Sequence, residues 1–173
     1  SLLAAPAGAV ALLPQPFVAS AQAKNPAVRV AVDLTEAWDE AQRDAPEPSR
    51  LVTGVAVARS AFVDGHPDLV QKLMADYAAS VAFVQENPDE AAGLVGSFDI
   101  VTEEVARAAL PACNVVFLEG AAMREALEGY LGVLYEAEPS SVGGALPGDD
   151  FYFGAEEGAE GPAAAAARKS ADA

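Results

Sequence analysis

Among the residues of this chain that could carry chemistry, His66 is the only histidine and Cys113 the only cysteine. A lone imidazole offers no second nitrogen ligand for a metal, and no Ser–His or Cys–His constellation can be built except around it. Its place before Pro67 fits a turn or capping residue better than a general base. Cys113 lies in Pro111-Ala112-Cys113-Asn114 and reads as a small buried hydrophobe. A single cysteine also excludes an internal disulfide and any multi-cysteine metal site. Asp149-Asp150 and Glu156-Glu157 are sequence neighbours, which seldom form an acid/base pair and read as solvated loop charge. Gly143-Gly144 and Gly148 lack the Lys-Ser/Thr and the strand-to-helix frame of a phosphate loop. Trp38 reads as the anchor of an amphipathic helix, a ligand-stacking ring being the alternative. No catalytic residue, metal ligand or cofactor is assigned, and the chain reads as a binding protein, not an enzyme.

One stretch has a functional reading: Pro14-Gln15-Pro16-Phe17, which follows the apolar run 9–13 (AVALL). In open α/β sheets, ligands bind outside the carboxyl ends of the strands. The polar residue after such a run stands at that end, and a helix opened by Pro16 presents unpaired N–H groups to the same space. Pro14, Gln15, Pro16 and Phe17 are therefore the candidate ligand-binding residues. A plain strand-to-helix turn with a solvent-facing Gln15 accounts for the same residues.

The elements expected to position these residues follow from periodicity. The long stretch 66–90 predicts a helix, a sharp stop and a second helix. Pro67 suits the first helical position, Asp68 the positive end of the dipole, and Leu69, Leu73, Tyr77, Val81 and Val84 one apolar face. Asn87-Pro88-Asp89-Glu90 then restarts the pattern. Strands are expected at 9–13, 28–32, 51–62 and 115–118: the first apolar throughout, the second alternating. Gly54 in the third suggests a close backbone approach. Further helices are expected from Pro16, from Asp33 or Thr35, after Thr102 and over 121–137. Residues 42–49 (QRDAPEPS) suggest a flexible connection, and 140–150 a turn-rich loop. Phe151-Tyr152-Phe153 is expected to dock on the core.

Composition sets outer bounds. The formal charge of −16 argues against nucleic acid or an anionic membrane surface, both of which need basic patches. The opening residues have no basic segment before their apolar run, which Pro6 and Gly8 interrupt, so a core strand is expected there and not a signal peptide. No window reaches the roughly 20 apolar residues of a membrane span. From Gly154 onward the chain is alanine, glycine and charge, a composition expected to remain disordered.

LVTGVAVARSAF followed by HPDLVQKLMADYAASVAFVQENPDEAAGLV resembles the second half of the solute-binding proteins of ABC importers, in the nitrate/sulfonate/taurine and thiamine-precursor branch. ALLPQPFVASAQAK upstream and YLGVLYEAEPSSVGGALPGDDFYF downstream agree in order. The resemblance spans about residues 8–153. It implies an α/β protein: part of a two-lobed type II periplasmic-binding-protein-like fold, with helices packed on a small mixed sheet. Residues 1–50 would be a remnant of the ligand-facing second lobe, 51–153 the C-terminal part of the first lobe, and 154–173 a disordered tail. The implied function is capture of a small polar solute in an inter-lobe cleft that closes by hinge motion, then delivery to ABC permease subunits. An extracytoplasmic location follows for the parent protein, with any membrane attachment through an anchor absent from this chain. Because the chain carries no export signal, a missing N-terminal half is the expected explanation. Two alternatives stand beside this one: an enzyme on the same fold, of the thiamine-pyrimidine synthesis or small-acid dehydratase type, and a truncated remnant that binds nothing.

Overall fold

The computed structural model describes residues 8–45 and 48–155. The expectation of a disordered tail lies outside these residues apart from Gly154 and Ala155, as do Pro46 and Glu47 of the expected connection.

The described residues are helical, with no strand. Seven α-helices follow in chain order: α1 (Phe17–Lys24), α2 (Leu34–Gln42), α3 (Ser60–Gly65), α4 (Pro67–Glu86), α5 (Pro88–Ser97), α6 (Glu103–Ala109) and α7 (Gly120–Ala137). Short 3-10 turns at Leu110–Ala112, Pro139–Val142 and Asp149–Phe151 complete them. The expected α/β architecture with a small mixed sheet is therefore overturned. Residues 9–13, 28–32 and 115–118 are irregular, and 51–62 divides into an irregular stretch to Arg59 and the start of α3. The physical reason lies in where the two kinds of element find their hydrogen bonds. A helix satisfies its backbone within itself, whereas a strand does so only against a neighbour. Apolar runs and period-two alternation express a capacity to pair, and no described segment supplies the pairing. Val10 accordingly stands 90% exposed, where a strand covered on both faces was expected. Gly54 has open space where its side chain would be, so no backbone approaches it.

Helix boundaries follow the chain's local chemistry closely. Asp33 caps α2, its carboxylate accepting from the N–H groups of Thr35 at 2.8 Å and Glu36 at 3.3 Å. The hydroxyl of Thr102 accepts from Val105 N–H at 3.4 Å at the start of α6. Pro88 opens α5 as expected, but Asn87 does not cap it: its amide donates backwards to the Phe83 carbonyl at 3.3 Å. The last turn of α4 thus gains a donor, while the first turn of α5 goes without a side-chain acceptor from Asn87.

The chain forms two compact units, Ser1–Ala31 with Ala79–Val116 and Val32–Ala78 with Phe117–Ala173. In the first, α6 packs against both α1 and α5. The buried residues there are mainly alanines: Ala19 and Ala21 of α1, Ala91 and Ala92 of α5, Ala106 and Ala109 of α6. Small side chains let the helices approach closely, and each contributes only one methyl, about 0.8 kcal/mol per buried carbon by transfer. Arg107 of α6 spans the α5–α6 pair, meeting Asp89 at 2.7 Å and Glu103 at 2.7 Å.

In the second unit α7 contributes Ala126 and Leu127 to the interior, beside Val70 of α4 and Tyr152. Trp38 of α2 is an anchor, as its helical setting suggested. Its ring lies 5.3 Å from that of Tyr130, tilted by 56°, and its indole N–H reaches the Ser49 carbonyl and hydroxyl at 3.2 Å. Of the expected aromatic trio only Tyr152 is buried, while Phe151 and Phe153 are exposed. Gly120 begins α7 at φ +57° with the Gly154 carbonyl 3.1 Å from where a Cβ would sit. An L side chain there would be both strained and crowded.

Candidate functional site

Gln15, from the stretch singled out in the sequence, lies in the turn before α1. Its Oε1 accepts from the N–H of Ala19 at 3.3 Å, so the side chain turns back on its own helix and fills one of the donors left over at a helix start. Pro16 takes the position before the first helical residue, half-buried, and Pro14 accepts from Phe17 N–H at 3.0 Å. Phe17 and Pro14 are exposed. The segment stands at a helix start as expected, but it does not stand at the carboxyl end of a strand, because residues 9–13 form none.

His66 has the turn role its neighbour Pro67 suggested. Its N–H donates to Val63 O at 3.3 Å, closing α3, and its carbonyl accepts from Val70 N–H at 3.0 Å, opening α4. The ring rests 5.0 Å from that of Phe62. Cys113 is half-buried, and partial burial pushes its thiol above the ordinary value. Asp149 is exposed, as the reading of solvated charge expects, and it also pairs with Arg124 of α7, which meets Glu128 at 2.8 Å. The Arg124 guanidinium lies 5.1 Å from the Tyr152 ring centroid. Tyr152 is held above the usual phenol range, first by desolvation and then by the charges of Glu128 and Asp149, with Arg124 opposing. Among the described residues no three His, Cys, Asp or Glu side chains cluster as a metal site would require.

Among the described residues, each unit has a concavity of note. In the first unit a groove of about 410 Å³ runs between α4 and α5, lined by Phe83, Val84, Leu94, Val95, Phe98 and Ile100 with Ala79, Ser80 and Ala91. Its wall is almost wholly apolar. In the second unit a cleft of about 440 Å³ is lined by Asp39, Gln42 and Arg43 of α2, by Pro48, Ser49 and Arg50, and by Glu125 of α7. Ser49 is buried at its base, donating from its hydroxyl to Gln42 Oε1 at 3.0 Å while also serving Trp38. Arg43 is held bidentately by Glu40 on the same helix. Arg50 makes no ion pair with a described residue. The cleft therefore combines the Arg50 guanidinium, which pairs with no described carboxylate, with two carboxylates, Asp39 and Glu125, and the hydrogen-bonded Ser49.

Sequence reasoning missed this cleft. Residues 42–49 have the composition of a connection, and nothing in that stretch points to Glu125, more than seventy positions away. The available signal was Trp38, whose indole N–H needs a partner when buried and so brings Ser49 against α2.

Comparison with known proteins finds no matching family model, no matching curated protein and no matching solved structure.

Proposed function

We propose that the chain acts by binding a small polar solute without transforming it, as the capture component of an ABC importer that passes the solute to a permease outside the cytoplasm. The observation that carries the reading is the mixed-charge cleft over Ser49. It is an open concavity of about 440 Å³ with mixed polar and apolar lining. Arg50 and the carboxylates Asp39 and Glu125, all lining the cleft, are of the charges that the two ends of a zwitterion, such as an aminosulfonate, would need. Arg suits the acidic end because its planar donors match a carboxylate or sulfonate bidentately. The importer role rests on the sequence resemblance alone: its helix–stop–helix over 66–90 is present as α4 and α5, whereas the strand expected before it over 51–62 is absent among the described residues. Gln15 does not line this cleft. It lies in the other unit with its Oε1 engaged by Ala19 N–H, and it takes no part in the proposed solute site.

The test is calorimetric titration with taurine, nitrate and a neutral amino acid, followed by the same titrations on Arg50→Ala and Glu125→Ala. Losing one charged partner costs about 1–3 kcal/mol, and each 1.4 kcal/mol is roughly tenfold. A zwitterion should thus bind about ten- to a hundredfold more weakly to either variant. Nitrate should respond to Arg50→Ala alone. Unchanged affinity in both variants would remove the cleft from the proposal, and absence of heat with every solute would remove solute binding itself.

A further inference from the structure

Gln42 ends α2 and lines the cleft, and its carboxamide has one orientation open to it. The Ser49 N–H reaches Gln42 Oε1 at 3.3 Å, and the Ser49 hydroxyl reaches the same atom at 3.0 Å. A backbone N–H can only donate, so the atom it meets is the carbonyl oxygen and not the amide nitrogen. The direction of the hydroxyl is fixed in turn. Trp38 N–H donates to Ser49 Oγ at 3.2 Å, which leaves the hydroxyl hydrogen for Gln42. Donors thus run one way, from Trp38 through Ser49 to Gln42, and bonds in such a chain polarise one another. The other end of the planar group is the Gln42 NH2, a donor oriented by the bonds that hold its oxygen.

Packing holds Ser49 where this requires. Its residue is 7% exposed. A Cβ on Gly129 of α7 would lie 3.0 Å from Ser49 Cβ, so the glycine is what gives Ser49 room against that helix.

Charge decides which end of a zwitterion needs that donor. Asp39 and Glu125 line the cleft of a chain whose formal charge is −16. Gln42 also stands at the C-terminal, negative end of the α2 dipole. An ammonium group therefore meets favourable charge there, whereas an acid group needs donors to offset it. Of the cationic side chains lining the cleft, Arg43 is held by Glu40, which leaves Arg50. We propose that Gln42 is the specificity-determining residue of the cleft. Its NH2, oriented by Ser49, donates to an oxygen of the solute's carboxylate or sulfonate, together with Arg50. The site then requires an acid end as well as an ammonium end. This rests on the reading of the cleft as a solute site.

The probes are taurine, ethanolamine, which keeps the ammonium end alone, and isethionate, which keeps the sulfonate end alone, each titrated calorimetrically against the full chain. Taurine should bind more tightly than ethanolamine. Gln42→Glu keeps an oxygen for Ser49 and replaces the donor with an acceptor. It should weaken taurine and isethionate about tenfold or more and leave ethanolamine unchanged or tighter. Ala41→Glu adds the same charge at an exposed neighbour that does not line the cleft. It should leave all three titrations within about twofold, and the two variants should melt within about 2 °C of each other. Equal weakening by Ala41→Glu would make the effect one of net charge and overturn the donor role. Unchanged taurine affinity in Gln42→Glu would also overturn it while leaving the cleft as a solute site through Arg50. Loss of ethanolamine binding in Gln42→Glu would assign Gln42 a purely structural role. Wild-type protein that bound ethanolamine as tightly as taurine would show that the acid end is not read. Absence of binding by all three would remove the solute site itself, and the role of Gln42 with it.

Discussion

The side chain of Gln15 turns back on its own helix, and that changes what its removal should do. Gln15→Ala loses the acceptor for Ala19 N–H, a neutral bond of about 0.5–1.5 kcal/mol net. The expected outcome is a small fall in melting temperature, with Gln15→Glu retaining stability because it keeps an oxygen and places negative charge at the helix start. Equal melting points for wild type and the alanine variant would show that the bond contributes nothing. Cys113 gives a second residue-scale prediction. Burial raises its thiol above the ordinary value in the folded chain. The neutral thiol's contribution to stability is then present below the unfolded value and lost as pH rises through it towards the folded one. Alkylation by iodoacetamide near pH 8.5 should accordingly be slower in the folded protein than in urea, because the thiolate is the reacting species. Equal rates would place the thiol in water.

At the scale of elements, the α5–α6 pair shows how small residues set the spacing of helices. Gly96 and Gly93 lie on the same helix in different surroundings. A Cβ on Gly96 would sit 3.0 Å from the backbone nitrogen of Glu103, whereas one on Gly93 would meet nothing within 4 Å. Gly93→Ala should therefore stabilise the protein by up to about 1 kcal/mol through helix propensity. Gly96→Ala should gain less or destabilise, because backbone and not a flexible side chain stands in the way. Chemical denaturation of the two variants decides it, and a larger gain at Gly96 would show that α6 yields readily. Thr102→Ala, which removes the cap of α6, should cost about 0.5–1 kcal/mol, the low end for caps given a bond of 3.4 Å.

For the whole molecule the dominant quantities are its charge of −16 and its exposed apolar surface. Among the described residues no large side chain is fully buried. The ion pairs that are present, such as Lys72–Asp76 at 2.8 Å, are exposed and of the kind that contributes little. Self-repulsion among the excess acids is expected to outweigh them. Raising sodium chloride from about 10 mM to about 150 mM cuts the screening length from about 30 to about 8 Å, and should therefore raise the melting temperature. Relief of about 1 kcal/mol corresponds to about 2–4 °C at this chain length. A fall would mean that the Arg107 and Arg124 pairs outweigh the repulsion. The α4–α5 groove and the exposed valines should also bind a hydrophobic dye under native conditions, with Phe98→Ser lowering the signal. Unchanged fluorescence in that variant would place the dye elsewhere.

What the sequence determined by itself was much of what has local partners, though not the failure of Asn87 to cap α5 or the turn of Gln15 back on Ala19. The starts of α2, α5 and α6, the junction role of His66 between α3 and α4, and the anchor role of Trp38 were legible because a cap, a proline or an amphipathic stripe acts within one or two turns of its own position. The lack of a second histidine or cysteine was equally a matter of composition. The tertiary structure alone decided what depends on distant partners. Residues 9–13, 28–32 and 115–118 have the pattern of strands, yet a strand exists only where another segment accepts its hydrogen bonds, and among the described residues none does. The cleft is likewise a product of packing, since Glu125 of α7 comes to line it with Ser49 and Arg50 where α2 and α7 meet through Trp38 and Tyr130. Period and composition measure a residue's capacity to pair, and only the folded chain supplies, or withholds, the group it pairs with.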